Sequence, residues 1–180
     1  MKGGFIAAST KITFELAKID PDGNCTSGIN RVYTRRTLEA GDPIKSLIQW
    51  DPHNYLNIWV VESIESLGSG ITIGYAQFPE DLASRPETDG IVIRHDYIGS
   101  TGTAASQIGR PASHEIGHWL GLRHIWGDDY GLCYLDDGVE DTPKQGDSNA
   151  FCPIFPVASG CHDLWYGDMY MNYMDYSDHI

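Results

Sequence analysis

The run His114-Glu115-Ile116-Gly117-His118-Trp119-Leu120-Gly121-Leu122-Arg123-His124 decides how this chain is read. His114 and His118 are four residues apart, so on a helix they share one face, one turn from each other. Two imidazoles placed that way reach one metal ion at Zn–N of ~2.0–2.1 Å. His124 lies too far along a straight helix to join them. Gly121 sits where the chain must bend, because glycine enters the left-handed conformation that ends a helix without a Cβ penalty. Three neutral imidazoles leave a zinc ion its double charge and one position for water, whose pKa such an ion lowers to ~7. Glu115, beside the first ligand, is placed to take that water's proton. The shorter pattern HExxH recurs by accident. The form that also fixes Gly121 and His124 arises by chance in on the order of 1 in 10⁴ chains of this length.

Outward from this run, residues 107–122 predict a helix with Ile108, Ala112, Ile116, Trp119 and Leu120 as an apolar stripe and Pro111 in the first turn. The upstream half reads as strands. Residues 11–17 alternate polar and apolar, and residues 55–62, 71–78 and 89–97 are rich in β-branched and aromatic side chains. Asp20-Pro21-Asp22-Gly23-Asn24 is a turn, Gly68-Ser69-Gly70 breaks two strands apart, and residues 35–49 hold a short helix. Beyond Gly127 the chain is rich in Gly, Asp, Pro and Tyr and has no period. That part is expected to be an irregular lobe held by cross-links and metal. The fold class is α+β.

The chain has 180 residues, which suits one domain split into two lobes around a cleft, and 41% of them are hydrophobic, enough for a core. No apolar run approaches the ~20 residues of a membrane span. The start at Met1-Lys2-Gly3-Gly4 lacks a full apolar region and cleavage site, so it is not read as a signal peptide. The net charge of −13 argues against nucleic acid and anionic membranes as partners. Acidic residues crowd the stretch 128–147. That stretch reads equally as a solvated loop or as a site for a hard cation. The cysteines Cys25, Cys133, Cys152 and Cys161 lack CxxC spacing, which disfavours a cysteine zinc site and leaves three pairings open. Extracellular disulfides suit the loop-rich second half, with free buried thiols as the alternative.

The chain resembles the metzincin peptidases, and among them the pappalysin group. The resemblance rests on Asp20-Pro21-Asp22-Gly23-Asn24, Tyr55-Leu56-Asn57-Ile58-Trp59-Val60, Gly74-Tyr75-Ala76-Gln77-Phe78-Pro79 and Thr88-Asp89-Gly90-Ile91-Val92-Ile93. It continues through the zinc motif, His124-Ile125-Trp126-Gly127-Asp128, Asp141-Thr142-Pro143 and Met171-Asn172-Tyr173-Met174-Asp175-Tyr176. It implies a metzincin zincin fold with a twisted, mostly parallel sheet. The active-site helix lies in an upper lobe of about 1–124, and an irregular lower lobe covers about 125–180. By the same resemblance, Met174 forms the methionine turn beneath the zinc, and the Tyr176 hydroxyl stabilises the tetrahedral intermediate. Gly74, Tyr75, Ala76 and Gln77 match a strand edge that binds extended peptide.

The resemblance further implies structural calcium at Asp137, Val139, Asp141 and Thr142 and a disulfide Cys133–Cys161. In the chain-entropy model that bridge contributes roughly 3–4 kcal/mol. Cys152 would pair with a cysteine past the methionine turn. The sequence ends at Ile180, short of that cysteine and of a closing helix, so Cys152 is left alone unless Cys25 takes it. The implied function is a secreted, monomeric zinc metalloendopeptidase with one catalytic zinc, acting on proteins or peptides. The competing reading is a zinc- and calcium-stabilised binding module that has lost turnover. The intact Glu115 disfavours it. His53, His95, His162 and His179 have no motif around them and read as surface or core residues.

Overall fold

The structure is a computed structural model that describes residues 9–66, 70–106, 108–129, 131–161 and 167–177. Gln107, Gly68, Ser69, His162 and His179 lie outside the described residues. The chain divides into two compact units, Met1–Tyr33 and Thr34–Ile180. In the first, Asp20 Oδ1 accepts from the Asp22 and Asn24 backbone N–H groups at 3.0 and 2.8 Å, closing the expected turn. An isolated bridge joins Ile19 to Cys25. The strand expected over residues 11–17 does not form. No described segment pairs with it, and Ile12, Phe14 and Leu16 stay exposed, so its alternation has no core to face.

In the second unit, strands β1 (Ile58–Val61), β2 (Gly74–Ala76) and β3 (Ile91–Arg94) form a sheet in the order β1-β3-β2. β1 pairs parallel with β3, and β2 pairs antiparallel with it. The described sheet is therefore mixed, where a mostly parallel one was expected. β2 and β3 are joined by short 3₁₀ turns at Pro79–Asp81 and Pro86–Thr88, which allow a reversal but no crossover helix. β1 buries Trp59 and Val61 and exposes Ile58 and Val60, the alternation of a strand with one covered face. β3, in the middle, buries Ile91, Val92 and Ile93 in succession because both its faces are covered. Trp59, Val61 and Val92 form a core with Ala40, Ile44 and Ile64. Ile44 comes from a 3₁₀ helix, Asp42–Leu47, which is the short helix expected in that region.

The long helix α1 runs Arg110–Trp119, inside the predicted span, and packs against β2 and β3. Its predicted apolar stripe is not its buried face. Ile108 precedes the helix and is exposed, Leu120 is exposed, and Ala112, Ile116 and Trp119 are half-buried. The buried residues are Arg110, His114, Glu115, Gly117 and His118. A helix whose polar face is covered calls for compensating partners, and these lie in the site described next.

After α1 the described residues hold no further helix or strand, as expected of an irregular lobe. Cys133 and Cys161 form the one disulfide seen, with Cα atoms 5.6 Å apart, while Cys25 and Cys152 are free and exposed. A polar network supplements the bridge. Asp175 accepts from Gln145 Nε2 at 2.8 Å and from the Asn149 backbone N–H at 2.7 Å. Asn149 Nδ2 reaches Asp175 and Asp168, and Asp168 accepts from the Ser159 N–H and hydroxyl at 3.1 Å.

Candidate metal centre

The end of α1 brings the three histidines together. The N–H of Gly121 donates to His118 O and that of Leu122 to Gly117 O, both at 2.9 Å, with Gly121 at φ +94°. This double hydrogen bond around a left-handed residue is a Schellman ending, and only glycine takes that φ without strain. The chain turns back, and His124 Nε2 arrives 3.1 Å from His118 Nε2 and 3.3 Å from His114 Nε2. The first two are 3.0 Å apart. A tetrahedral ion with Zn–N of ~2.0–2.1 Å separates its ligand atoms by about 3.3–3.4 Å, close to this triangle.

The protonation of each ring is fixed from its other nitrogen. His114 Nδ1 lies 2.7 Å from Tyr173 O, and His118 Nδ1 lies 2.8 Å from Leu122 O. A carbonyl can only accept, so both Nδ1 atoms carry the hydrogen. His124 Nδ1 meets the Asp128 carboxylate at 2.7 Å with the same result. Three bare Nε2 lone pairs then point at one another. That arrangement repels itself unless a cation sits among them, so the donor set fits zinc. It is also the only cluster of three or more His, Cys, Asp or Glu ligand atoms among the described residues. Burial acts in the same direction. Desolvation pushes His114 down to about 4 and lowers His118 as well, so both stay neutral.

Several parts of the chain hold this geometry. Gly127 and Asp128 both adopt positive φ, which folds Asp128 back onto His124. A Cβ on Gly127 would lie 2.6 Å from Asp136 N. Trp126, fully buried, stacks on the His124 ring at 4.2 Å with the planes 7° apart. Met174 is buried with Ile125 and Trp126 under the centre. Its sulfur occupies the space that a Cβ on Gly117 would need. The Arg110 guanidinium donates to Met171 O at 3.3 Å and also to Asn172 O and Ser177 Oγ. The turn that carries Met174 is thereby tied to the first turn of α1. Asp175 holds its other side.

The remaining predicted site residues fall as follows. Glu115 is buried on the same helix, and burial raises its carboxyl to about 8. The positive charge that the imidazoles would hold acts in the opposite sense. Gly74 of β2 lies directly over it: a Cβ there would come within 2.9 Å of Glu115 Oε1. The Tyr176 hydroxyl lies 3.2 Å from His124 Nε2. Glu115, Gly74, Ala76 and Tyr176 share a cleft of about 510 Å³ with the three histidines. Gln77 is not among the residues lining it; its side chain is buried and donates to Arg85 O at 3.1 Å. Asp137, Val139 and Thr142 form a tight turn, with Val139 N–H donating to Asp137 Oδ1 and Thr142 N–H to Val139 O. Among the described residues, Asp137 and Asp141 belong to no converging group of three or more His, Cys, Asp or Glu side chains. Sequence reasoning missed Arg110, the role of Asp128 and that of Asp175. Arg110 carried a signal, since it precedes His114 by four residues and so shares the ligand face.

Two outcomes test the centre. An unfolded chain takes up protons on these imidazoles near 6.5, whereas folded His114 resists until about 4. The stability this ring contributes is therefore complete above about 6.5 and declines as pH falls toward 4, where protons also displace metal. Acidification from pH 7 to pH 4 is expected to lower the melting temperature and release zinc to a chromophoric chelator. Full zinc retention at pH 4 contradicts it. Asp128→Ala removes the acceptor that orients His124 and is expected to weaken zinc affinity by about 10–100-fold in a competition titration.

Comparison with known proteins agrees with this geometry. The family model of peptidase M43, described as pregnancy-associated plasma protein-A, matches residues 42–180. Extracellular metalloproteases of Verticillium alfalfae and Pyricularia oryzae are 36% and 32% identical over 173 and 152 residues. The matches cover 93% and 83% of this chain but 55% and 50% of theirs, so the chain spans about half the length of the curated relatives it matches. A Tannerella forsythia promirolysin mutant superposes with a TM-score of 0.80 at 42% identity, covering 90% of this chain and 54% of that one. Mirolysin in complex with compound 9 gives 0.81 at 43% identity, covering 92% of this chain and 62% of that one. By the family match and the shared fold, the chain belongs to the pregnancy-associated plasma protein-A family, the pappalysins, among the metzincin peptidases.

Proposed function

We propose that the chain is the catalytic domain of a secreted zinc metalloendopeptidase, with an upper and a lower lobe that divide near His124. The observation that carries the reading is the triangle of bare Nε2 atoms beside a buried glutamate in one cleft. Extracellular relatives and a mirolysin solved with a cleaved peptide support it. Zinc held by His114, His118 and His124 supplies Lewis acidity and lowers the pKa of water. Glu115 accepts the proton of the attacking water and returns it to the leaving amine. The Tyr176 hydroxyl donates a hydrogen bond to the oxyanion that develops on the scissile carbonyl.

The substrate is an extended peptide. β2 lies at the edge of the sheet, so the free side of Gly74, Tyr75 and Ala76 pairs with a peptide main chain through hydrogen bonds. Met174 floors the ligand histidines with an apolar thioether and takes no part in the chemistry. The net charge of −13 makes nucleic acid and anionic membranes poor partners, and a monomer is part of the same proposal. Among the described residues no helix is long and apolar enough to cross a membrane.

Glu115→Gln is expected to keep stoichiometric zinc and to lose at least ~10³-fold of the cleavage rate on denatured casein, because the base is lost and the metal ligands are not. Normal cleavage by that variant removes Glu115 as the base. If the wild type itself holds zinc and cleaves nothing, the binding-module reading replaces this one.

Calcium in the turn at Asp137, Val139, Asp141 and Thr142 is part of the same proposal. It is supported by the acidic stretch around the turn, whose carboxylates and carbonyls are the ligands a hard cation takes. With zinc saturating, calcium addition is expected to raise the melting temperature and a calcium-selective chelator to lower it. An unchanged melting temperature removes the site.

A further inference from the structure

β2 has three residues and, among the described residues, one ladder partner, so few main-chain bonds fix it. Its height over α1 is nonetheless set closely, because Gly74 lies against the Glu115 carboxylate. The hold comes from the other face of the strand. Side chains alternate along a strand, so Tyr75 leaves the face opposite Gly74, and Gln77 follows directly after the end of β2. The Tyr75 hydroxyl donates to Asp42 Oδ1 at 3.1 Å. The same oxygen accepts from Lys45 Nζ at 2.9 Å. Lys45 is 1% exposed. Its ammonium also donates to Thr88 O at 2.5 Å and lies 5.0 Å from the Tyr75 ring centre and 5.8 Å from that of Trp59. Thr88 in turn donates its hydroxyl to Gln77 Oε1, and Gln77 Nε2 donates to Arg85 O. One buried ammonium is thus the hub of a polar chain that grips β2 at Tyr75 and, just past its end, Gln77.

We propose that Lys45 is a positioning residue for peptide binding: through Asp42 and Thr88 it holds the free edge of β2 at the height from which that edge pairs with substrate above Glu115. The inference rests on the peptidase reading. A buried charge is a poor choice for packing alone, since an apolar side chain of the same length fills the space without the cost of desolvating an ammonium. What an apolar chain cannot supply is a directional tie from Thr88 to Asp42, and so to Tyr75 within β2 and Gln77 just beyond it.

Lys45→Met tests this, with Tyr75→Phe as a milder variant that keeps the ring and the ammonium. Ladder pairing is equally strong in the ground and transition states, so its loss raises KM and leaves kcat nearly alone. For a fluorogenic peptide long enough to pair along the whole of β2, KM is expected to rise about 3–10-fold in Lys45→Met, with kcat within about 2-fold. Tyr75→Phe shows a smaller rise of the same kind. Zinc content stays stoichiometric in both. Amide hydrogen exchange at residues 74–77 is expected to quicken in both variants while that of α1 does not change. Unaltered exchange in β2 overturns the proposal whether or not the protein cleaves anything. So does a fall in kcat or zinc content at constant KM, which is what a merely structural lysine would give. If the wild type cleaves no peptide, the peptidase reading fails by itself, and the exchange measurement still decides whether Lys45 braces the strand.

Discussion

Three imidazole nitrogens without hydrogens face one another across 3.0–3.3 Å. Each is bare because the opposite nitrogen of its ring is committed elsewhere: His114 to the methionine turn, His118 to the helix ending, His124 to Asp128. A cation among them would turn this mutual repulsion into attraction. Metal affinity and folding are then one equilibrium, since the unfolded chain has no such triangle to offer. The neighbouring structure follows from keeping three rings aimed at one point.

Close approach to that point is granted by residues that lack side chains. Gly117 gives its space to the sulfur of Met174, and Gly74 gives its space to the carboxylate of Glu115. With those two absences, α1 can lie between a thioether floor and the edge strand β2. They also account for the inverted character of α1, whose covered face carries two histidines, a glutamate and an arginine. The arginine and the two histidines have hydrogen-bonding neighbours, and the glutamate faces the cleft. Arg110 has the carbonyls of the turn, the histidines have their acceptors and one another, and Glu115 has the cleft.

The irregular lobe shows how a segment with little regular hydrogen bonding still keeps a fixed shape. Cys133–Cys161 limits its unfolded ensemble. Asp168 and Asp175 gather N–H and amide donors from Gln145, Asn149 and Ser159 and do in side chains what a sheet does in backbone. Asp175 sits between Met174 and Tyr176, so the order of that network reaches the floor and the rim of the cleft together. On the opposite side, the buried Lys45 does the corresponding work for β2.

The sequence by itself determined the donor set. The spacing of His114, His118 and His124 with Gly121 between them left one geometry, because helical pitch and the left-handed allowance of glycine are local properties. It also determined the turn at Asp20, the positions of β1, β2 and β3 and, by resemblance, the bridge between Cys133 and Cys161. Only the tertiary structure decided which face of α1 is covered, that residues 11–17 form no strand, and that the described sheet is mixed. It likewise assigned Gln77 to bracing within the fold, away from the cleft lining, and gave Arg110, Asp128, Asp175 and Lys45 their tasks. Those outcomes depend on which segments meet across long stretches of chain, and a side chain's local pattern carries no record of the partner that will satisfy it.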